Sequence, residues 1–344
     1  METVLLHKSA FLYVTSIFRL SSFVFANALL TGITKTFVPF YSSFPEIYVN
    51  FITTLLFAVH PINVEAVAWI SALKVLLYAF FYLLGLLCYL RYIRTSKIFY
   101  YVLTIGCFLC SFWGKEQAVT FPLALLIVDW FTNRNMKNLE VWSEKMSFLI
   151  MAFFFGIITV LSQGKGPYEM IFPLYQRLLF GCFALVEYIT KSLLPVNLNF
   201  FYPFPIVLGE EPPLHYYLYP VVLLFLMGWI IAYRNNRYLV FGVLLFLVNL
   251  LFSIHLFNMS RHAIVADRYM YLSYVGIAFL IANGIWWLRK RLSYFKAALV
   301  FLFFYCFFLS VYTFHYTKKW ENTTMVKKYT KEVLEKRLNG SNHL

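Results

Sequence analysis

The sequence predicts an all-α, polytopic integral membrane protein of about ten or eleven helices. The chain is 61% apolar and 21% aromatic, and only 13% of its residues are charged. Its apolar runs recur at about the length that crosses roughly 30 Å of hydrocarbon. Each run is expected to be helical, because an unpaired backbone polar group in lipid costs several kcal/mol.

Apolar segments follow one another along nearly the whole chain. We identify eleven, near residues 9–31, 47–60, 75–92, 98–113, 118–132, 146–162, 178–195, 214–232, 238–257, 271–288 and 297–316. No basic region with a cleavage site precedes the first, so we expect it to be retained rather than removed as a signal. The sequence thus predicts a multi-pass membrane domain, 1–317, and an extracytoplasmic amphipathic tail, 318–344.

Basic residues in the short loops predict the orientation. They form four clusters, Arg91–Lys97, Arg134–Lys145, Arg234–Arg237 and Arg289–Lys296, which should all face the cytoplasm. From the second cluster the chain crosses outward at 146–162, so it must cross an odd number of times between 163 and 233 to bring the third cluster back inside. Because two apolar segments lie in that region, one of the two does not span.

The segment that we expect not to span is 178–195. Glu187 and Lys191 interrupt it, and a proline-rich stretch, Pro195–Pro205, follows it. It fits a re-entrant or interfacial helix better than a lipid-facing span. With this choice ten crossings remain, and the loops that carry polar motifs fall on the extracytoplasmic side.

The most informative polar group follows the second apolar segment. His60, Asn63, Glu65 and Trp69 stand at its mouth, and Lys74 is five residues further on. A proton-transfer group, a carboxylate, an aromatic ring and a cation together suit a sugar phosphate. The alternatives are that Asn63 and Glu65 only cap a helix start, and that Trp69 belongs to the aromatic belt.

Two more polar groups fall on the same predicted side. Lys115 and Glu116 are adjacent, so on a helix they would serve different partners, with phosphate suited to Lys115; snorkelling to the interface is the alternative. The loop before the tenth segment carries Arg261, Asp267 and Arg268. An arginine fork prefers a doubly anionic phosphate, and Asp267 either orients an arginine for that task or forms a purely structural ion pair.

Several short motifs occur in the order found in a known membrane domain. They are 56–69, which contains His60-Pro-Ile-Asn-Val-Glu65, then 75–86, Gly114-Lys-Glu-Gln-Ala-Val-Thr120 with Asp129, Phe201-Tyr-Pro203, and Ala266-Asp-Arg-Tyr-Met-Tyr-Leu272. Over about residues 50–320 the chain resembles the membrane domain of the transmembrane and tetratricopeptide-repeat protein O-mannosyltransferases and their bacterial relatives.

The resemblance implies a C-type glycosyltransferase fold and a polyprenyl- or dolichyl-phosphate-linked sugar of the mannose type as donor. It implies transfer to a protein or glycan acceptor on the outer face, and it adds Tyr202 to the candidate substrate-binding residues. Members resemble one another in an acidic motif of the first outer loop, which is thought to supply the base or to hold a metal. We expect this chain to lack that motif and the helical repeats, and to carry Ser71-Ala-Leu-Lys74 where the family has Gly-Arg and an acidic residue.

The function predicted from these residues is inverting glycosyl transfer. Glu65 and Glu116 are the candidate bases and His60 a candidate proton carrier, while Lys74, Lys115, Arg261 and Arg268 are candidates to stabilise the departing lipid phosphate. A divalent cation, Mg²⁺ or Mn²⁺, is the cofactor to test. Two alternatives stay open: an inactive relative that binds lipid-linked glycan or scaffolds a partner subunit supplying the acidic loop or repeats, and, ranked last, a lipid or solute transporter.

The remaining sequence features restrict the class of protein and the membrane in which it resides. Walker, dinucleotide, nucleophile-elbow and zinc-protease motifs are absent from the sequence. The net charge of +14 resides mainly in loops and tail, which indicates anionic lipid headgroups rather than nucleic acid. The five cysteines lie in or beside apolar segments and are expected to be buried thiols. Compact loops favour a bacterial cytoplasmic membrane, with the endoplasmic reticulum membrane as the alternative.

Overall fold

The computed structural model describes residues 44–162, 172–206, 208–255, 263–321, 324–328 and 331. Across these residues the protein is all-α and polytopic. Its helices are α1 (Phe44–Val59), α2 (Val64–Ala68), α3 (Leu73–Thr95), α4 (Ile98–Gly114), α5 (Phe121–Phe131), α6 (Leu139–Ser162), α7 (Leu174–Leu193), α8 (Leu218–Ala232), α9 (Arg237–Leu250), α10 (Met270–Trp287) and α11 (Leu292–Lys318). The predicted first segment, 9–31, and the tail beyond 331 lie outside the described residues.

Every predicted apolar segment from 47–60 onward coincides with a helix, but the helices differ in length. Five stretches of the described chain are long and apolar enough to cross a membrane: Ile70–Thr95, Leu139–Thr159, Leu214–Ala232, Asp267–Lys290 and Leu292–Lys318. A bent pair, Tyr48–Val59 with Pro61–Ala68, would make a sixth. Helix α7 is not among them, as expected for a helix that does not span.

The expected ten crossings exceed this count because some apolar helices are short. Helix α4 has 17 residues and α9 has 14. At 1.5 Å per residue, α9 rises about 21 Å, which is less than the roughly 30 Å of hydrocarbon. Length and composition therefore support five or six spans among the described residues.

Close helix pairs form the core. Helices α3 and α4 make a hairpin, because Ser96 adopts a left-handed conformation, with φ of 53°, and ends α3. Helices α9 and α10 approach each other at Gly242 and Gly276, where a Cβ on Gly276 would lie 2.5 Å from the Gly242 carbonyl oxygen. Small residues at such crossings let two backbones meet in a membrane domain.

The polar group that begins at His60 lies at a sharp bend. The stretches Tyr48–Val59 and Pro61–Ala68 are inclined by 56°. Pro61 cannot donate to the hydrogen-bond ladder of α1, and His60 caps the 3₁₀ turn that follows, accepting from the backbone N–H of Ile62 at 3.2 Å through Nδ1. The bend directs α2 into the protein.

A second polar cluster lies at the far end of α3. Tyr89 is sixteen residues, or about 24 Å, along that helix from its first residue. Its hydroxyl donates to Asp129 at 2.8 Å, and Lys145 Nζ lies 2.5 Å from the same carboxylate. Arg134 pairs with Glu144 at 2.6 Å. Lys145 is fully buried, so the sequence prediction that counted it as a loop charge is corrected.

The second and third basic clusters meet at this end of the protein. The Arg237 guanidinium at the start of α9 donates to the side-chain oxygen of Asn133 and to the carbonyl oxygen of Trp130. Both partners belong to the end of α5 and the loop after it. This contact agrees with the expectation that the two clusters share one side.

Candidate functional site around the Asp267–Tyr269 turn

A single 3₁₀ turn, Asp267–Tyr269, lies at the centre of the candidate site and leads into α10. Its three consecutive side chains point to three different parts of the chain, because a 3₁₀ turn has three residues per turn. The contacting pairs are Asp267 with Tyr202, Arg268 with Glu65, and Tyr269 with Lys115. The turn thus joins three segments that lie far apart in the sequence.

Arg268 is paired with Glu65 on helix α2. The backbone N–H of Arg268 donates to Oε2 at 2.8 Å, and its guanidinium donates to Oε1 at 2.5 Å. Glu65 is fully buried, whereas the Arg268 side chain keeps 21% of its surface exposed. Both carboxylate oxygens are therefore engaged, and the exposed part of the pair is the cation.

Two aromatic rings enclose the guanidinium of Arg268. Its central carbon lies 5.2 Å from the centre of the Trp69 ring and 5.1 Å from that of Tyr269. Trp69 in turn packs edge-on against Phe200, at 5.2 Å between ring centres. Cation–π contacts of this kind hold an arginine in place while leaving its edge available to an anion.

Asp267 is held by a hydroxyl. Tyr202 donates to the Asp267 carboxylate, with both oxygens at 3.0 Å, and accepts from Lys191 Nζ at 3.2 Å. Lys191 also forms an ion pair with Glu187, one turn earlier on α7, at 3.4 Å. The predicted non-spanning helix is thereby attached to the central turn.

The Tyr202 hydroxyl stays protonated in this setting. Burial of the ring and the negative charge of Asp267 raise the pKa of Tyr202 well above its ordinary value of 10. The phenol is therefore a permanent hydrogen-bond donor to the carboxylate. Tyr202 was expected to bind substrate, but it is only 2% exposed, and its partners lie within the protein.

Lys115 and Glu116 lie between α4 and α5 with different environments. Lys115 is buried, its ammonium lies 4.4 Å from the centre of the Tyr269 ring, and its charge acts on the Glu65 carboxylate. Glu116 is half-buried and begins a 3₁₀ helix, where a carboxylate is favoured by the helix dipole. Within the described part of the chain its carboxylate makes no hydrogen bond or ion pair.

The polar residues at the bend have mainly structural contacts. His60 is fully buried, and its ring packs on Tyr274 with 4.4 Å between centres. The side-chain amide of Asn63 donates to the carbonyl oxygen of Phe57 at 2.7 Å, which satisfies a backbone group released by the bend. These contacts explain how the chain turns beside Pro61.

Other predicted residues fall apart from this group or outside the described region. Lys74 is exposed at the start of α3, and no hydrogen bond or ion pair joins it to Glu65 in the described chain. Arg261 lies outside the described residues. Sequence reasoning missed Tyr269 and the role of Lys191, although a lysine interrupting an apolar segment was a usable signal.

Among the described residues, no three His, Cys, Asp or Glu side chains lie together as metal ligands would. The carboxylates of Glu65 and Asp267 are each occupied by a protein donor. The Mg²⁺ or Mn²⁺ cofactor therefore stays a prediction, and the chemistry proposed for this site uses only side chains of the protein.

Comparisons with known proteins agree with the motif order. The chain is 34% identical over 130 residues to human protein O-mannosyl-transferase TMTC2, which covers 34% of this chain and 14% of the relative. It is 36% identical over 101 residues to the mouse protein of that name, covering 27% and 12%, and 31% identical over 121 residues to the Xenopus laevis protein, covering 33% and 14%. The chain is thus related to this family through about a third of its length.

The matched segments span only about one seventh of the relatives' length. No family model matches the chain. No solved structure matches it either. The relatives are vertebrate proteins, so the comparisons do not support the bacterial membrane that the compact loops favoured.

Proposed function

We propose that this protein is a membrane glycosyltransferase that uses a polyprenyl- or dolichyl-phosphate-linked sugar of the mannose type. The acceptor is a hydroxyl of a protein or glycan. The observation that carries the proposal is the arrangement at the central turn, where a ring-enclosed, partly exposed Arg268 and the buried Lys115 share one tyrosine ring. Two cations beside a carboxylate at a membrane mouth match the charge of a lipid phosphate leaving group.

Glu116 is the carboxylate best placed to act as base. It is half-buried and unpaired among the described residues, whereas both oxygens of Glu65 accept from Arg268. In this mechanism Glu116 takes the proton of the acceptor hydroxyl, and the oxygen attacks the anomeric carbon. The bond from that carbon to the phosphate oxygen breaks, and the lipid phosphate leaves with the electron pair. Arg268 and Lys115 stabilise its charge, and Glu65 keeps Arg268 in position.

The reaction is proposed for the luminal or extracytoplasmic face. The contacts of Glu65, Lys115 and Lys191 with the central turn or its partner Tyr202 support one shared face, opposite to the end where the basic loops lie. Similarity to vertebrate proteins favours the endoplasmic reticulum membrane. A partner subunit that supplies an acidic loop or repeats remains part of the proposal.

The test is sugar transfer by purified protein in proteoliposomes, with a radiolabelled polyprenyl- or dolichyl-phosphate mannose and an acceptor peptide. Glu116→Gln should lower turnover by about 10²–10⁴-fold. Glu140→Gln is the matched control, since Glu140 also stands in the first turn of a helix, at the opposite end of the protein, and should leave turnover unchanged. Full transfer by both Glu116→Gln and Glu65→Gln would contradict the assignment.

A binding protein without catalysis is the second candidate. It is favoured by the engagement of Glu65 and Asp267 with protein donors, which removes two of the local carboxylates from acid–base work. In that case the wild-type protein binds the lipid-phosphate sugar, measured by retention in nanodiscs, and shows no turnover with or without Mg²⁺ or Mn²⁺. Turnover by the wild-type protein would exclude this second candidate.

A further inference from the structure

The Tyr202 hydroxyl uses all of its hydrogen-bonding capacity within the protein. It donates to Asp267, and it accepts from Lys191 Nζ at 3.2 Å and from the backbone N–H of Asn199 at 2.6 Å. A phenol offers one donor and two acceptor positions, so these contacts fill it. Direct hydrogen bonding to a substrate would require that one of them be broken.

Helix α7 and the loop that follows it hold the stretch before the central turn at two further points. The backbone N–H of Ile264 donates to the carbonyl oxygen of Tyr202 at 2.9 Å. The backbone N–H of Ala266 donates to the hydroxyl of Tyr188 at 3.2 Å. Tyr188 and Lys191 are three residues apart and share a face of α7. The residues on both sides of Val265 are therefore fixed by α7 and the loop that follows it.

This attachment reaches Arg268 through its neighbour Asp267. Asp267 and Arg268 are adjacent, and the backbone N–H of Arg268 is itself bonded to Glu65. A shift of the Asp267 carboxylate therefore moves the backbone that aims the guanidinium. Lys191 supplies the charge that balances Asp267 in a buried setting, and its ammonium lies 4.5 Å from the centre of the Tyr202 ring.

We propose that Lys191 and Tyr202 are positioning residues, which act through Asp267 to fix the orientation of Arg268. In this arrangement the non-spanning helix α7 supports the anion-binding side chain from behind, without contacting the ligand. The statement that the anion is a lipid phosphate rests on the proposed function. The positioning itself does not.

The first experiment measures Arg268 without using activity. Purified protein in nanodiscs is treated with phenylglyoxal, which adds covalently to exposed guanidinium groups, and modification of each arginine is followed by peptide mass spectrometry. Tyr202→Phe and Lys191→Met should each raise the modification rate of Arg268 at least threefold. Lys191→Arg keeps a cation and should stay near the wild-type rate.

Arg237 is the internal control, because it lies at the opposite end of the protein. Its modification rate should not change in any of these variants. An unchanged rate at Arg268 in both Tyr202→Phe and Lys191→Met would overturn the proposal. A rise at Arg237 equal to that at Arg268 would also overturn it, since it would mean a general loosening of the fold.

The second experiment links positioning to transfer. Tyr202→Phe should raise the KM for the lipid-phosphate sugar by about 10–100-fold, the range known for hydrogen bonds that orient metal ligands, with a smaller change in kcat. If the wild-type protein shows no turnover while Arg268 labelling responds as predicted, the proposed function fails and the positioning role stands. If turnover is present but neither KM nor labelling changes, the positioning role fails alone.

Discussion

Glu65 accepts two hydrogen bonds from a single residue, Arg268, although 203 positions separate them in the sequence. One comes from the backbone N–H and the other from the guanidinium, so the carboxylate fixes both the main chain and the side chain of its partner. Charge-assisted bonds of this kind are the strong ones in proteins. The pair therefore restrains where the exposed edge of the arginine points, together with the contacts of the adjacent Asp267.

Removing either charge of this pair should destabilise the protein strongly. Glu65→Gln leaves a largely desolvated guanidinium, and Arg268→Met leaves a fully buried carboxylate. Loss of one partner of a buried pair costs about 3–5 kcal/mol. The 21% exposure of Arg268 lowers our expectation to about 2–3 kcal/mol for Glu65→Gln. The free energy of unfolding in detergent measures it.

The double variant tests whether the two effects have one cause. Glu65→Gln combined with Arg268→Met should cost less than the sum of the single changes by about 1–3 kcal/mol, because neither charge is left alone. Additive losses, within about 0.5 kcal/mol, would contradict the pairing.

The approach of α4 to α3 gives a second prediction, at the glycine before Lys115. A Cβ on Gly114 would lie 2.8 Å from the backbone nitrogen of Tyr78 and 3.1 Å from the carbonyl oxygen of Lys74. Backbone atoms cannot yield as a flexible side chain would, so Gly114→Ala should lower the free energy of unfolding by about 1–3 kcal/mol.

Gly106 is the matched control on the same helix. Nothing lies within 4 Å of a Cβ there, so Gly106→Ala should be neutral or stabilising by up to about 1 kcal/mol. Equal thermal midpoints for the two alanine variants would show that the close approach at Gly114 does not contribute.

The sequence predicted which residues form the site better than it predicted their partners. The basic loops and the count of membrane crossings predicted that Glu65, Lys115 and Asp267 lie on the same side of the membrane. In the structure Glu65 and Lys115 both contact the turn that contains Asp267. The pairing of Glu65 with Arg268 depends on the bend at His60, and no local pattern gives its direction. Long-range contacts of this kind are set by tertiary packing rather than by spacing along the chain.

Two other differences have physical causes. Helix α9 is too short to cross as a straight span, and apolar composition alone does not show where a helix ends. Lys145 reads as a loop cation, but it is buried because Asp129, 16 positions away in sequence, neutralises it. A charged residue near a predicted helix end can lie in an exposed loop or in the buried core. Which of the two it does depends on whether the fold places an opposite charge beside it.

The raised pKa of Tyr202 predicts a specific pH dependence. Its buried phenol resists ionisation in the folded state, while the unfolded chain ionises near the ordinary value of about 10. Stability from this group is therefore complete below pH about 10 and is lost as the pH rises above it. The difference in unfolding free energy between wild type and Tyr202→Phe should be constant from about pH 8 to 9 and shrink above 10. A difference that stays the same above pH 10 would contradict this account.

The buried pair of Asp129 and Lys145 should stabilise the fold without taking part in transfer. Asp129→Asn leaves the fully buried Lys145 ammonium with Glu144 at 3.1 Å and the Tyr89 hydroxyl as its remaining polar contacts, so we expect a loss of about 3–5 kcal/mol in the free energy of unfolding. Lys145→Met should cost less, because Asp129 keeps Arg134 at 3.2 Å and the Tyr89 hydroxyl.

The combination of Asp129→Asn with Lys145→Met should recover much of the stability lost by Asp129→Asn alone, since no buried charge is then left unpaired. The cluster lies about 24 Å along α3 from the first residue of that helix, so the KM of the folded fraction for the lipid-phosphate sugar should match that of the wild type. A double variant that restores the thermal midpoint but shifts this KM tenfold would contradict a purely structural role. It would place Asp129 in communication with the central turn.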